Sequence, residues 1–75
     1  MYFDRISINS EIMLGKPCIK GTRITVELIL ERLSQGASFD YLLEGYPRLT
    51  IEDLKAAFGY AHAVLTNEVT IESVA

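Results

Sequence analysis

The spacing of apolar and polar positions changes period once along the chain and divides it into an arm and a helical unit. Ile6-Ser7-Ile8-Asn9 alternates apolar and polar, the period-two pattern of a short strand. Asn9-Ser10 marks a turn, and Glu11-Ile12-Met13-Leu14 leads from it into Gly15. Pro17-Cys18-Ile19 reads as a second short strand, with Pro17 confined to its start or to an edge because proline lacks a backbone donor. Lys20-Gly21 supplies a reversal, since glycine tolerates positive φ, and Thr22-Arg23-Ile24 returns as an extended segment. Strands this short must rest on helices or pair with another chain.

From Thr25 the period is helical. Thr25 is a good N-cap, Glu27 sits in the first turn where the helix dipole favours a carboxylate, and Val26, Ile29, Leu30 and Leu33 form one apolar stripe. Gly36 closes this helix, which is predicted over about 26–35. Ser38 caps a second, short helix, Phe39 to Glu44, stopped by Gly45 and Pro47. Thr50 caps a third, with Asp53 at the capping-box position. Ile51, Leu54, Ala57, Phe58, Ala61 and Leu65 recur at spacings of three and four and are expected to be its buried stripe. Tyr60 falls off that stripe, at an expected exposed position. In the tail, Val69 and Ile71 alternate with polar residues, as in a strand or a frayed end. The expected fold is mainly α: a three-helix bundle of the helix-turn-helix class with a short N-terminal β-hairpin or arm.

The 75 residues fit a single domain, with a β arm and hairpin over 1–24, a three-helix unit over 25–65 and a tail over 66–75. A chain of this size buries only about 60–65% of the surface its unfolded form exposes. With 49% apolar residues on such a small body, a homodimer or a complex is expected. Cys18 is the only cysteine, which excludes an internal disulfide. It and His62 are the only soft ligands, too few for structural zinc, and no cofactor is expected. No apolar run approaches the ~20 residues of a membrane span. The start lacks the pattern of a secretory signal, and one unpaired cysteine fits a reducing cytoplasm.

The net charge of −3 is unevenly laid out. Residues 1–24 hold four basic residues against two acidic ones, net +2; residues 25–75 hold three against eight, net −5. An acidic whole disfavours nonspecific binding to phosphate, while a basic arm still permits docking of an anionic partner. The candidates for nucleic-acid or partner contact are Lys16, Lys20, Arg23, Arg48 and Lys55. Against this stands a plainer reading: Arg23 anchors the hairpin to helix acids such as Glu27, and the lysines are solvated. At the start of the third helix, Glu52 and Asp53 suit a cap and the dipole better than the reading of bases. Cys18 has Lys16 and Lys20 two positions either side, yet no histidine lies near it in sequence, and a buried strand position explains it better than nucleophilic chemistry. Nothing here points to an enzyme.

One stretch is also familiar. Gly15-Lys16-Pro17-Cys18-Ile19-Lys20-Gly21-Thr22-Arg23-Ile24 is similar to the GxPxIxGTRI signature of the domain of unknown function 433 family. Gly36-Ala37-Ser38, Tyr46-Pro47-Arg48-Leu49-Thr50 and Ala56-Ala57-Phe58-Gly59-Tyr60-Ala61 resemble that family's later blocks, so the likeness covers roughly residues 4–63. It implies a homeodomain-like helix-turn-helix fold with an N-terminal β element, often dimeric. Members resemble VapB-type antitoxins, and many are encoded beside PIN-like ribonuclease toxins; the family lends no catalytic residues. The expectation is a non-catalytic binding protein: the antitoxin-like partner of a PIN-like ribonuclease, whose paired copies present basic segments to operator DNA. A DNA-binding regulator without a toxin, and a structural or adaptor homodimer, are the alternatives.

Overall fold

The computed structural model describes residues 4–66, and within them the arm is a clasp built on two residues. Strand β2 (Cys18–Ile19) pairs antiparallel with β1 (Ile6–Ser7), Ile6 opposite Ile19 and Ser7 opposite Cys18. On its other edge Cys18 bridges to Thr25. There the Ile19 amide donates to the Ile24 carbonyl at 2.9 Å, and the Val26 amide donates to the Pro17 carbonyl at 2.9 Å. The expected hairpin is therefore present, and β1 lies along its free side.

Strand β1 is shorter than the alternation over 6–9 predicts. The Asn9 side chain accepts from the Glu11 amide at 2.8 Å, and the Ile12 amide donates to the Asn9 carbonyl at 2.9 Å, so the chain turns away from the ladder at once. A single 3₁₀ turn, Met13–Gly15, follows, with φ of 51°, 60° and 83° at its three residues. Left-handed backbone at two non-glycine residues is uncommon, and here it leaves Leu14 almost fully in solvent.

Helix α1 (Val26–Ser34) starts where the Thr25 hydroxyl accepts from the Leu28 amide at 3.0 Å. It ends at Gly36, whose φ of 100° lets the Ala37 amide donate to the Arg32 carbonyl and the Gly36 amide to that of Leu33, each at 3.1 Å. Helix α2 (Phe39–Gly45) is capped by Ser38, as predicted, and runs one residue past Glu44. Helix α3 (Ile51–Leu65) begins with a complete capping box: the Asp53 amide donates to the Thr50 hydroxyl, and the Asp53 carboxylate accepts from the Thr50 amide. The tail beyond Thr66 lies outside the described residues.

The core joins β2 and the three helices: Ile19 from β2, Val26 and Ile29 from α1, Leu42 from α2, Leu49 from the following turn, and Leu54 and Ala57 from α3, with Ile6 of β1 packed against it. The third helix departs from its predicted stripe. Its buried residues are Asp53, Leu54, Ala56, Ala57 and Ala63, whereas Ile51, Phe58 and Leu65 are exposed at 37%, 39% and 82%. Tyr60, expected outside, is half-buried against the core. The inward face is rich in alanine, with Ala56, Ala57 and Ala63 all buried. The Asp53 carboxylate fixes the rotation further by accepting from the Arg5 guanidinium at 3.1 Å, which ties α3 to the residue before β1. Among the described residues, no helix is long and apolar enough to cross a membrane.

Replacing Asp53 with Ala removes the capping carboxylate and the partner of Arg5 together. It is expected to cost about 1–3 kcal/mol in urea unfolding, against less than about 1 kcal/mol for Arg5→Ala, whose side chain is half in water. Equal losses for the two variants would contradict the assigned role of the cap.

Candidate partner-binding surface

The five basic candidates separate into three situations. Lys16 is paired with Glu27, Nζ to Oε1 at 3.2 Å, both side chains well exposed. Glu27 is therefore held by Lys16, and the expected anchor from Arg23 to Glu27 does not form. The β2–Thr25 hairpin places Lys16 beside the first turn of α1, while Arg23 follows the hairpin tip. Lys55 stands exposed on α3, joined to none of the other four by a hydrogen bond or ion pair among the described residues.

Lys20, Arg23 and Arg48 come together around one turn. Gly21 occupies the left-handed region at φ 81°, which glycine enters without a Cβ penalty. The Thr22 hydroxyl donates to the Ile19 carbonyl at 2.8 Å and accepts from the Ile24 amide at 3.0 Å, so the tip is braced from within. The Arg48 guanidinium donates to the Gly21 carbonyl at 3.0 Å across 27 residues of sequence, joining the α2–α3 turn to the hairpin tip. The side chains of Lys20 and Arg23, on either side of Gly21-Thr22, are exposed and form no ion pair among the described residues. The result is a basic corner on a rigid turn, open to an anionic group.

The thiol beside this corner is held in the interior. Cys18 is 2% exposed, its thiol lies 3.4 Å from the Lys16 carbonyl, and burial pushes its pKa up, with the charge of Arg23 pulling the other way. A thiol so held is mostly protonated at neutral pH and a poor nucleophile. Among the described residues, no three of His, Cys, Asp or Glu gather closely enough to hold a metal ion. An open groove of about 750 Å³ lies between the end of α1 and α2, lined by residues that include Arg32, Gln35, Tyr41 and Tyr46. None of the five basic candidates lines it.

Residues 6–61 match the family model described as protein of unknown function DUF433. The chain belongs to this family. Among solved structures it is similar to a DUF433 member protein from Anabaena variabilis ATCC 29413, with a TM-score of 0.80 and 36% sequence identity over 85% of this chain. The chain spans 63% of that protein's length. No curated protein matches it. The matched region takes in the clasp, all of α1 and α2 and most of α3, and so includes the whole basic corner.

Two features of this surface were not apparent in the sequence. Arg5 enters through an ion pair 48 residues distant, and no local signal marks such a partner. The outward apolar line on α3 was hidden because its residues share helical spacing with the core ones. The geometry at Cys18 predicts that iodoacetamide at neutral pH leaves the native protein unlabelled and labels it after unfolding in urea; rapid labelling of the native thiol would contradict its burial.

Proposed function

We propose that this DUF433 protein is a non-catalytic binding module of the helix-turn-helix antitoxin type, acting in the cytoplasm as the partner of a PIN-like ribonuclease. The observation that carries the reading is the basic corner: two cations, Lys20 and Arg23, that form no ion pair among the described residues, beside a third that is hydrogen-bonded to the turn, on a chain of net charge −3. An acidic body repels nucleic acid at long range, whereas a compact cationic point suits a carboxylate-lined cleft on another protein. Inhibition is then by occlusion, the corner covering acidic groups that a ribonuclease needs free.

Operator DNA is the second reading, supported by three helices in succession with a short turn between α2 and α3, the element order that a helix-turn-helix requires. In that case the phosphate contacts come from the paired basic corners. The first turn of α3 offers Glu52 exposed and Asp53 buried in its own cap, a poor set for reading bases.

The decisive experiment is co-expression with the product of the adjacent gene. A PIN-like ribonuclease that co-purifies with this chain is expected, and Lys20→Glu with Arg23→Glu should weaken the complex at least about tenfold while Lys55→Glu leaves it within about twofold. An adjacent PIN-like protein that fails to bind would remove the toxin reading. A mobility shift of the chain's own upstream DNA at low salt, lost in the same double variant, would favour the operator.

A further inference from the structure

The left-handed Gly36 reverses the chain after α1, and the open groove between the end of α1 and α2 is lined from both helices. Arg32 and Gln35 are three residues apart at the end of α1, and Tyr41 and Gly45 are four apart on α2, so each pair shares one face. Tyr46 follows, half-buried against the core, while Tyr41 is 67% exposed. Together these side chains bring a guanidinium, a carboxamide and two phenol hydroxyls to one groove. Among the described residues, none of those groups hydrogen-bonds or pairs with the protein. Arg32 is the one charged residue lining the groove; Glu31, Asp40 and Glu44, its acidic neighbours in sequence, do not line it.

Gly45 is an independent observation. Its backbone is not left-handed, and a Cβ there would have no atom within 4 Å. Neither a turn nor a close approach within the fold calls for glycine, which lowers helix stability, and Pro47 already ends α2. The missing side chain leaves the groove open between Tyr41 and Tyr46.

We propose that this groove binds a nucleoside monophosphate. Its volume of about 750 Å³ falls in the range of small-ligand sites. Tyrosine faces stack on any base, because every base has a π-face. The planar fork of Arg32 matches phosphate oxygens two at a time. The Gln35 carboxamide both donates and accepts, as the edge of a base does. A bare phosphate would engage Arg32 and leave the tyrosines unused, and an uncharged ring would do the reverse. A ring joined to an anion uses both. None of the basic-corner residues lines the groove, so the inference stands apart from the partner-binding reading.

The test titrates the whole chain with adenosine and uridine monophosphate and follows the backbone amide NMR shifts. Saturable shifts are expected at 35–38 and 41–46, with a dissociation constant of about 1 mM or tighter. Arg32→Ala and Tyr41→Ala, both at exposed positions, should each weaken binding at least about fivefold, and Gly45→Leu should abolish it by filling the groove. The Lys20→Glu, Arg23→Glu variant should bind within about twofold of the wild type. If Gly45→Leu proves unfolded by circular dichroism, the two exposed variants decide. Absence of saturable shifts at about 10 mM nucleotide overturns the proposal. So do shifts centred on 20–24 that vanish in the Lys20→Glu, Arg23→Glu variant, which would place the phosphate at the corner. Inorganic phosphate or benzoate binding the groove as tightly as the nucleotides also overturns it, since base and phosphate would then not be read together. Arg32→Ala should still capture the proposed ribonuclease, so the failure of either reading leaves the other standing.

Discussion

The fold depends on the burial of Cys18 and Ile19. Both side chains lie in the interior, and their strand is bonded along both edges, to Ile6–Ser7 on one side and to Ile24–Thr25 on the other. A two-stranded ribbon of this length is not stable alone. It persists because Ile19 also joins the cluster formed by Val26, Ile29, Leu42, Leu49, Leu54 and Ala57. The same pair of residues sets where the next four stand. Lys20 and Arg23 are exposed because Ile19 is not, and the brace from Thr22 to Ile19 keeps the tip in one conformation. Surface chemistry is here a direct consequence of core packing.

Rigidity matters because an exposed lysine or arginine loses side-chain freedom when it binds. A backbone already fixed by the left-handed Gly21 and by the Arg48 hydrogen bond has less left to lose. Family membership covers this same corner without assigning it a role. The functional reading therefore rests on charge and geometry: cations grouped on a fixed turn, a thiol kept inert by burial, and acids that are solvated or committed to a cap.

The sequence is legible where one residue dictates one conformation. Thr25, Ser38 and Thr50 all cap as expected, Gly36 is left-handed, and the hairpin turns at Gly21. The rotation of α3 is not legible in the same way. Ile51, Phe58 and Leu65 fit an apolar stripe as well as Leu54 and Ala57 do, because a helix with apolar residues over a wide arc does not itself say which part faces inward. In the structure the inward part holds Ala56, Ala57 and Ala63 and is tied to the arm by the Asp53–Arg5 contact, 48 residues apart in sequence. The same nonlocality misassigned Glu27, whose partner is Lys16, and concealed the link from Arg48 to Gly21.

The central claim is that the chain works by presenting a fixed cationic corner to an anionic protein. Calorimetric titration with the proposed PIN-like partner at increasing salt tests it most directly. The account predicts an affinity that falls steadily as salt rises, with most of that dependence gone in the Lys20→Glu, Arg23→Glu variant. Binding that is indifferent to salt and unchanged in the double variant would contradict it.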